Sequence, residues 1–195
     1  QAPAISSPSG RSFGFLSFLD TSLRSVEDLL SGLLDISKLD AGGIAPQIED
    51  FRIDDVLQAL GTEFEALAED RDIELRVVSS SCYVRSDRRL LRRILQNLLS
   101  NAIRYTPSGG RVLIGCRGGG ERLKIEVRDT GPGIPSDMRE AVFQEFQRLP
   151  QSETQAQGLG LGLAIVERIA RMLGHVIELR SDAGQGAIFG LSVTR

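Results

Sequence analysis

The sequence predicts an α+β fold, a two-layer α/β sandwich in which helices cover one face of a mixed, mostly antiparallel sheet, preceded by a long helix. Two observations support this class. Segments with strand character occur in neighbouring pairs separated by turn residues, and amphipathic helices lie between the pairs. The composition is that of an ordinary globular protein, with 195 residues, 41% apolar and 25% charged, which is enough for one full domain.

The first 43 residues are expected to stand apart from this domain. Residues 1–12 are rich in Pro, Ser and Gly, which predicts a flexible leader. In residues 13–43, apolar side chains recur at steps of three and four, the pattern of a heptad seam. A helix cannot bury such a seam alone, so the sequence predicts a partner helix from this chain or another. The helix should end at Gly42 and Gly43.

Residues 47–195 are expected to form the main domain, in which helices and strands alternate. Apolar residues at helical spacing predict helices at 53–68, 87–105 and 160–173. Asp87 supplies the second helix with an N-cap. Strand-like runs bounded by turn residues lie at 73–78, 83–85, 111–117, 123–128, 176–180 and 187–193. Residues 131–157 are expected to be mostly irregular, with a short helix near 136–143.

Charge and residue counts exclude several function classes. The net charge of −3 provides no basic field that would draw the chain onto nucleic acid. No apolar run is long enough to span a bilayer, and the start lacks the pattern of a signal peptide. Cys82 and Cys116 fall in strand-like stretches, which favours reduced thiols and a cytoplasmic location. Because His175 is the single histidine, a multi-histidine metal site is excluded. His175 itself is expected to be structural.

A polar stripe on the second predicted helix is the first candidate site. Asn97 and Asn101 are four residues apart, which places both amides on one face, and Arg104 continues the same edge. Amide oxygens are suitable ligands for Mg²⁺, and a guanidinium suits phosphate. A solvated face of an amphipathic helix is the plainer interpretation, although Asn is a poorer helix former than Lys or Glu.

Two glycine-rich segments are the other candidates. Asp129 follows a predicted strand and leads into Gly131 and Gly133, where a carboxylate can accept from an amine and glycines leave room for a flat ring. A tight turn is the plainer interpretation, and it explains these glycines but not why Asp129 precedes them. The alternating glycines of residues 158–162 open the third predicted helix and would expose backbone N–H groups to phosphate. This second segment matches neither the P-loop nor the dinucleotide fingerprint.

The order of five segments carries more information than any one of them. They are NLLSNAIRYTPSGG (97–110), DTGPGIP (129–135), FQEF (143–146), GLGLGLAIVERIA (158–170) and GQGAIF (184–189). In this order they resemble the N box, first glycine box, F box, second glycine box and closing glycine segment of the GHKL family. That family has the Bergerat-type ATP-binding fold, and within it the match is to the catalytic domain of sensor histidine kinases. The resemblance covers about residues 47–195.

The segment before the domain extends the resemblance. Residues 22–43 resemble the second helix of the dimerisation and phosphotransfer hairpin of sensor histidine kinases. No segment resembles the first hairpin helix, which carries the phosphoacceptor histidine in that family. The resemblance therefore implies that the phosphoacceptor helix is missing from this chain, and that residues 13–43 are a partial dimerisation and phosphotransfer element.

The resemblance implies ATP and Mg²⁺ as cofactors and a role for each matching residue. Asn101 would be the Mg²⁺ ligand, and Asp129 would accept a hydrogen bond from the adenine amine. Asn97 and Arg104 would be catalytic residues, with Asn97 lining the Mg²⁺ site and Arg104 contacting phosphate. Residues 134–157 would form a mobile lid based on Phe143 and Phe146. The residues implied to bind ATP are Asn97, Asn101, Arg104, Tyr105, Asp129, Gly131, Gly133, Arg148, Gly158, Leu159, Gly160, Leu161, Gly162 and Leu163.

The implied function is transfer of the γ-phosphate of ATP to a histidine, for relay to the receiver domain of a response regulator, within a homodimer. Three alternatives remain. A GHKL ATPase of the gyrase or chaperone type carries Glu where this chain has Asn97, and an amide cannot act as a general base. The helix predicted at 13–43 disfavours an anti-sigma-type serine kinase. ATP turnover with a competent acceptor would separate a kinase from a nucleotide-binding pseudokinase.

Overall fold

The computed structural model describes Gly43 and residues 45–118, 120–147 and 160–195. The predicted leader and almost all of the predicted helix at 13–43 lie outside these residues. The helices of the described ranges are α1 (Ile53–Asp70), α2 (Arg88–Tyr105) and α3 (Gly162–Met172). The strands are β1 (Glu49–Arg52), β2 (Glu74–Val77), β3 (Tyr83–Ser86), β4 (Arg111–Arg117), β5 (Arg122–Asp129), β6 (Val176–Ser181) and β7 (Ala187–Thr194).

Five strands form one sheet in the order β2-β4-β5-β7-β6. The β2–β4 pair is parallel and the other three pairs are antiparallel. The β2–β4 pair is parallel because β3 and α2 intervene between its two strands. In contrast, a short glycine-rich connection joins β4 directly to β5. The prediction of a mixed, mostly antiparallel sheet is confirmed.

The helices pack on one face of this sheet. Strand side chains alternate between faces, so that Ile125 and Val127 are buried in the core while Lys124 and Arg128 lie on the opposite face. Helix α2 contributes the most buried apolar side chains, namely Leu91, Ile94, Leu95, Leu98, Leu99, Ala102 and Ile103. This burial fixes the rotation of α2, and therefore which of its residues are left at the edge of the core.

A second, two-stranded sheet is formed by β1 and β3, which pair antiparallel. The sequence predicted β3 but not β1, because three of the four residues in Glu49–Arg52 are charged and only Phe51 faces the core. Phe51 lies opposite Val84 in the pairing, and both side chains are buried. Long-range pairing therefore creates a strand that local propensity does not favour.

The predicted short helix near residues 136–143 is instead two 3₁₀ turns, Ser136–Met138 and Ala141–Phe143. They hold Phe143 edge-on against Phe189 of β7, with ring centroids 6.3 Å apart. Phe146 does not pack in the same way, because 58% of its surface is exposed. Among the helices of the described ranges, none combines the length and the apolar character needed to cross a membrane.

Candidate functional site

Helix α2 is held firmly at its N-terminus by a buried carboxylate. Asp87 Oδ1 accepts the backbone N–H groups of Arg89 and Leu90 at 2.9 and 3.0 Å, and its Oδ2 accepts that of Gln47 at 2.8 Å. Burial by itself raises the pKa of the Asp87 carboxyl, but these three donors and the Arg89 guanidinium outweigh it and lower the pKa below 3.8. The predicted N-cap is confirmed, and it fixes where the polar stripe of α2 begins.

The two asparagines of the stripe lie half-buried at the edge of the core and differ in their bonding. Asn97 donates from Nδ2 to the Arg93 carbonyl at 2.9 Å, which leaves its Oδ1 as the outward atom. The amide of Asn101 makes no hydrogen bond to any residue of the described ranges. A half-buried amide whose oxygen and nitrogen have no partner among the described residues is available to a ligand.

The second glycine segment lies directly against these amides. A Cβ placed on Gly162, the first residue of α3, would be 3.2 Å from Asn97 Oδ1 and 3.7 Å from Asn101 Nδ2. Gly162 therefore leaves open the space in front of both asparagines. No side chain of the described residues caps the start of α3, and Gly162 places this start, with the positive end of the helix dipole, beside the two asparagines.

Gly160 is required for a different reason. Its φ is 71°, and a Cβ there would be 2.8 Å from the Gln147 carbonyl oxygen. The Gly160 carbonyl accepts from the backbone N–H of Phe146 at 3.1 Å, which joins the two ends of the intervening segment. Leu161 is buried and Leu163 half-buried. The predicted site residues Arg148, Gly158 and Leu159 lie outside the described residues.

Asp129 is the last residue of β5, and its two carboxylate oxygens differ in their hydrogen-bond partners. Its Oδ1 accepts the backbone N–H groups of Gly131 at 2.9 Å and Ala187 at 3.1 Å. Its Oδ2 has no hydrogen-bond partner within the described ranges. Burial raises the pKa of the Asp129 carboxyl, and the two N–H donors offset this only in part. One oxygen is thus anchored, and the other can accept a hydrogen bond from a bound group.

The glycines after Asp129 allow close approach of backbones. A Cβ on Gly131 would be 2.9 Å from Asp129 Oδ1 and 3.1 Å from the Tyr105 carbonyl oxygen. Gly133 has φ 72°, and a Cβ there would overlap the carbonyl of Asp182. The Gly131 contact places the Asp129 segment against the last residue of α2. Arg104 and Tyr105 are both half-buried at this end of the helix.

Sequence reasoning missed one residue that supports this segment. Ser181, at the end of β6, is buried, accepts the Ile134 N–H at 2.8 Å and donates to the Gly186 carbonyl at 2.6 Å. It thereby ties the Asp129 segment to the turn before β7, from which Ala187 reaches Asp129. The available signal was a polar residue on the inward face of a strand, in register with Leu179.

His175 lies apart from these contacts, under the small sheet. It is 9% exposed and its Nε2 is 2.8 Å from the hydroxyl oxygen of Ser86, which is itself fully buried. Burial, together with the nearby Arg122 charge, lowers the pKa of His175 from 6.5 to about 4. The imidazole is therefore neutral near pH 7 and joins β6 to β3 as a structural residue.

A pH-dependent stability follows from the lowered pKa of His175. Because the unfolded chain binds a proton at higher pH than the folded chain does, the free energy of unfolding should be constant above pH 6.5 and fall as pH decreases towards 4. Urea denaturation near pH 7 and near pH 4.5 should differ by about 2–3 kcal/mol from this group. His175→Gln keeps an amide for Ser86 and should lose that component. An equal decrease in the variant would contradict the assignment.

The charge and ligand inventory of the site limits how a cation can be held. In the part of the chain that the structure describes, no three His, Cys, Asp or Glu side chains cluster as a metal site would require. A protein site with one or two amide oxygens suits Mg²⁺ that keeps most of its other ligands as water and substrate phosphate. The unpartnered Asn101 amide beside the uncapped start of α3 fits this mode of binding.

Comparison with known proteins identifies the domain. Residues 86–194 match the family of histidine kinase-, DNA gyrase B-, and HSP90-like ATPases. The sensor histidine kinase CusS of Escherichia coli K12 is 34% identical over 162 residues, which cover 83% of this chain and 34% of CusS. The sensor-like histidine kinase SenX3 of Mycobacterium tuberculosis H37Rv is 34% identical over 168 residues, covering 85% and 41%. The chain thus spans little more than a third of these relatives.

Solved structures agree with the sequence relatives. Full-length ShkA, in complex with AMPPNP, superimposes with a TM-score of 0.79 at 26% identity over 96% of this chain and 40% of that one. The mycobacterial sensor histidine kinase MprB gives a TM-score of 0.64 at 28% identity, with 76% and 97% covered. The chain belongs to the histidine kinase-, DNA gyrase B- and HSP90-like ATPase family, and it contains an ATP-binding catalytic domain of the two-component histidine kinase type.

Proposed function

We propose that this domain binds Mg²⁺-ATP in the region bordered by α2, the Asp129 segment and the start of α3, and transfers the γ-phosphate to a histidine. The observation that carries this proposal is the placement of two separate glycine-containing segments along one edge of α2. Gly162 faces Asn97 and Asn101, and Gly131 faces Tyr105 at the end of the same helix. The phosphate-binding end at Asn97 and the base-binding end at Tyr105 are thereby about 12 Å apart along the helix axis, since a helix rises 1.5 Å per residue.

Each end has a chemistry that suits one part of the nucleotide. The uncommitted Oδ2 of Asp129 is an acceptor for the adenine amine. The amide oxygen of Asn101 is a ligand for Mg²⁺, which would neutralise charge on the phosphate oxygens. Arg104 adds a cation at the same edge, and the free N–H groups at the start of α3 add phosphate donors.

Transfer to a separate acceptor is favoured over hydrolysis by the state of Asn97. Activation of water requires a general base, and an amide has no basic site of suitable pKa. The nitrogen of this amide is also committed to the Arg93 carbonyl. The GHKL ATPases that carry Glu at this position are therefore the less favoured alternative. The next residue of the described stripe, Asn101, is also an amide and therefore supplies no carboxylate base in place of Asn97.

The partners proposed for the whole protein follow from the relatives. CusS and SenX3 are sensor histidine kinases, so we propose a phosphoacceptor helix of the same protein as the first acceptor and a response-regulator receiver domain as the second. Residues 13–43 would provide part of the dimerisation hairpin, and residues 47–195 the catalytic domain. The acceptor imidazole must approach in line with the γ-phosphate, to within about 3–3.5 Å.

A phosphorylation assay tests the proposal. With radiolabelled ATP and Mg²⁺, this chain should acquire no acid-labile phosphate, because His175 is buried and bonded to Ser86. Fusing a histidine-bearing first hairpin helix from a sensor histidine kinase ahead of residue 13 should produce acid-labile phosphate on that histidine. The same fusion with Gln in place of the acceptor histidine is the control. Label on the unfused chain that disappears in His175→Ala would contradict the proposal.

A further inference from the structure

The turn between α1 and β2 contains a residue in a strained conformation. Asp72 has φ 56°, in the left-handed region that side chains rarely occupy, although Asp tolerates it better than most. This conformation ends helix α1 in the usual way, because the Asp72 N–H donates to the Glu69 carbonyl and the Ile73 N–H to the Ala68 carbonyl, both at 2.9 Å. Asp72 also makes contacts outside this helix end.

The α1–β2 turn is attached at three points to the end of α2 and to the turn that follows it. The Asp72 carbonyl accepts the Gly109 N–H at 2.8 Å, and its carboxylate Oδ2 accepts the Ser108 hydroxyl at 2.8 Å. Arg71 donates from Nη1 to the Arg104 carbonyl at 3.1 Å. The left-handed φ of Asp72 accompanies an arrangement in which its carbonyl and its carboxylate serve two consecutive residues of the α2–β4 turn.

The same α2–β4 turn is attached on its other side to the Asp129 segment. Arg111 donates its N–H to the Thr130 hydroxyl oxygen at 2.9 Å and accepts the Thr130 N–H at 3.1 Å. Gly131 approaches the Tyr105 carbonyl so closely that a Cβ would be 3.1 Å from it. The end of α2 is thus held between the Asp72 turn and the segment that begins at Asp129.

We propose that Asp72 is a positioning residue of the nucleotide site, which fixes the end of α2 against the Asp129 segment. It touches no part of the site itself. Its effect is to set where Tyr105 and Gly131 border the region assigned to the base, and in this respect it rests on the proposed function. The carboxylate and Ser108 are both exposed, so their hydrogen bond is a minor contributor to the stability of the fold.

Four variants of the full chain separate positioning from turn formation. Asp72→Gly accepts the left-handed φ without strain but removes the carboxylate. Ser108→Ala removes only the donor. Asp72→Asn keeps an acceptor oxygen and tolerates the same φ, so it should restore function. Asp70→Asn, two residues earlier on the exposed end of α1, is the matched control. Calorimetry with ATP and Mg²⁺ and the amide NMR shifts of Tyr105 and Gly131 without nucleotide are the two measurements.

We expect Asp72→Gly and Ser108→Ala each to weaken ATP binding by about three- to tenfold, and the double variant to be no worse than either. Asp72→Asn and Asp70→Asn should bind like the wild type. The Tyr105 and Gly131 amide shifts should move in Asp72→Gly and remain in place in Asp70→Asn.

Two results would overturn the role of Asp72. Unmoved Tyr105 and Gly131 shifts in Asp72→Gly would do so even if affinity fell, and unchanged ATP affinity would do so even if the shifts moved. A wild-type chain that binds no ATP would instead contradict the proposed function. In that case the amide shifts, which need no nucleotide, would still decide whether Asp72 positions the end of α2.

Discussion

Replacing Asp129 by Asn should reduce the affinity for ATP by about 10- to 100-fold, because the amide would present an N–H donor to the base in place of an acceptor oxygen. Oδ1 of residue 129 must continue to accept the N–H groups of Gly131 and Ala187. The amide nitrogen is then forced into the position of Oδ2, where it faces the adenine amine as a second donor. Calorimetric titration of both proteins with ATP and Mg²⁺ measures the difference.

A change in base preference accompanies this loss. Inosine triphosphate has a carbonyl where ATP has the amine, so it opposes the wild-type carboxylate but accepts from the amide of Asp129→Asn. We expect the wild type to prefer ATP and the variant to prefer inosine triphosphate. Equal ATP affinity in the two proteins would show that adenine is recognised elsewhere. An equal loss for both nucleotides would point to a disrupted segment rather than a changed specificity.

Replacing Asn101 by Ala should abolish the contribution of Mg²⁺ to ATP binding while leaving metal-free binding nearly unchanged. The amide has no hydrogen-bond partner in the described part of the chain, so its removal breaks no contact of the protein. Ala is also the better helix former, which excludes unfolding of α2 as the cause of a loss. We expect affinity for ATP with Mg²⁺ to fall about 10- to 100-fold, towards the metal-free value.

The neighbouring residue provides the matched control for Asn101. Ser100→Ala removes a half-buried polar side chain from the same turn of α2 without affecting the stripe, and it should bind Mg²⁺-ATP like the wild type. Titrations with and without excess chelator give the metal-dependent part for each protein. If Asn101→Ala loses the same factor in both conditions, the residue contacts the nucleotide and does not hold the metal.

The sequence was sufficient where local chemistry and long-range packing agree. The bounds of α2 could be predicted because Asp87 caps the helix and its apolar arc is continuous from Leu91 to Ala102. The candidate site was implied by the resemblance of five ordered segments to the GHKL family, and the closeness of Gly162 to Asn97 shows that two of those segments do meet. Both predictions depend on features that lie within one element or on a motif order that is already informative.

The sequence was insufficient where a contact crosses between elements. Strand β1 exists because Phe51 pairs opposite Val84, although its neighbours are charged. Two 3₁₀ turns replace a predicted helix, and Phe143 at the end of the second contacts Phe189 of β7, a partner that the local sequence does not reveal. Ser181 accepts from Ile134, 47 positions away in the chain, and Asp72 from Ser108, 36 positions away, and no local pattern reveals such partners.

The shared carboxylate of Asp87 has a mechanical consequence for the whole domain. One oxygen closes the first turn of the helix that carries Asn97 and Asn101, and the other secures the backbone of Gln47, at the point where the chain enters the domain. A tension applied to the entering chain is therefore delivered to the first turn of that helix. The buried Asp87 carboxylate therefore connects the entry of the chain directly to the asparagine helix, and the β1–β3 pairing is a second connection beside it.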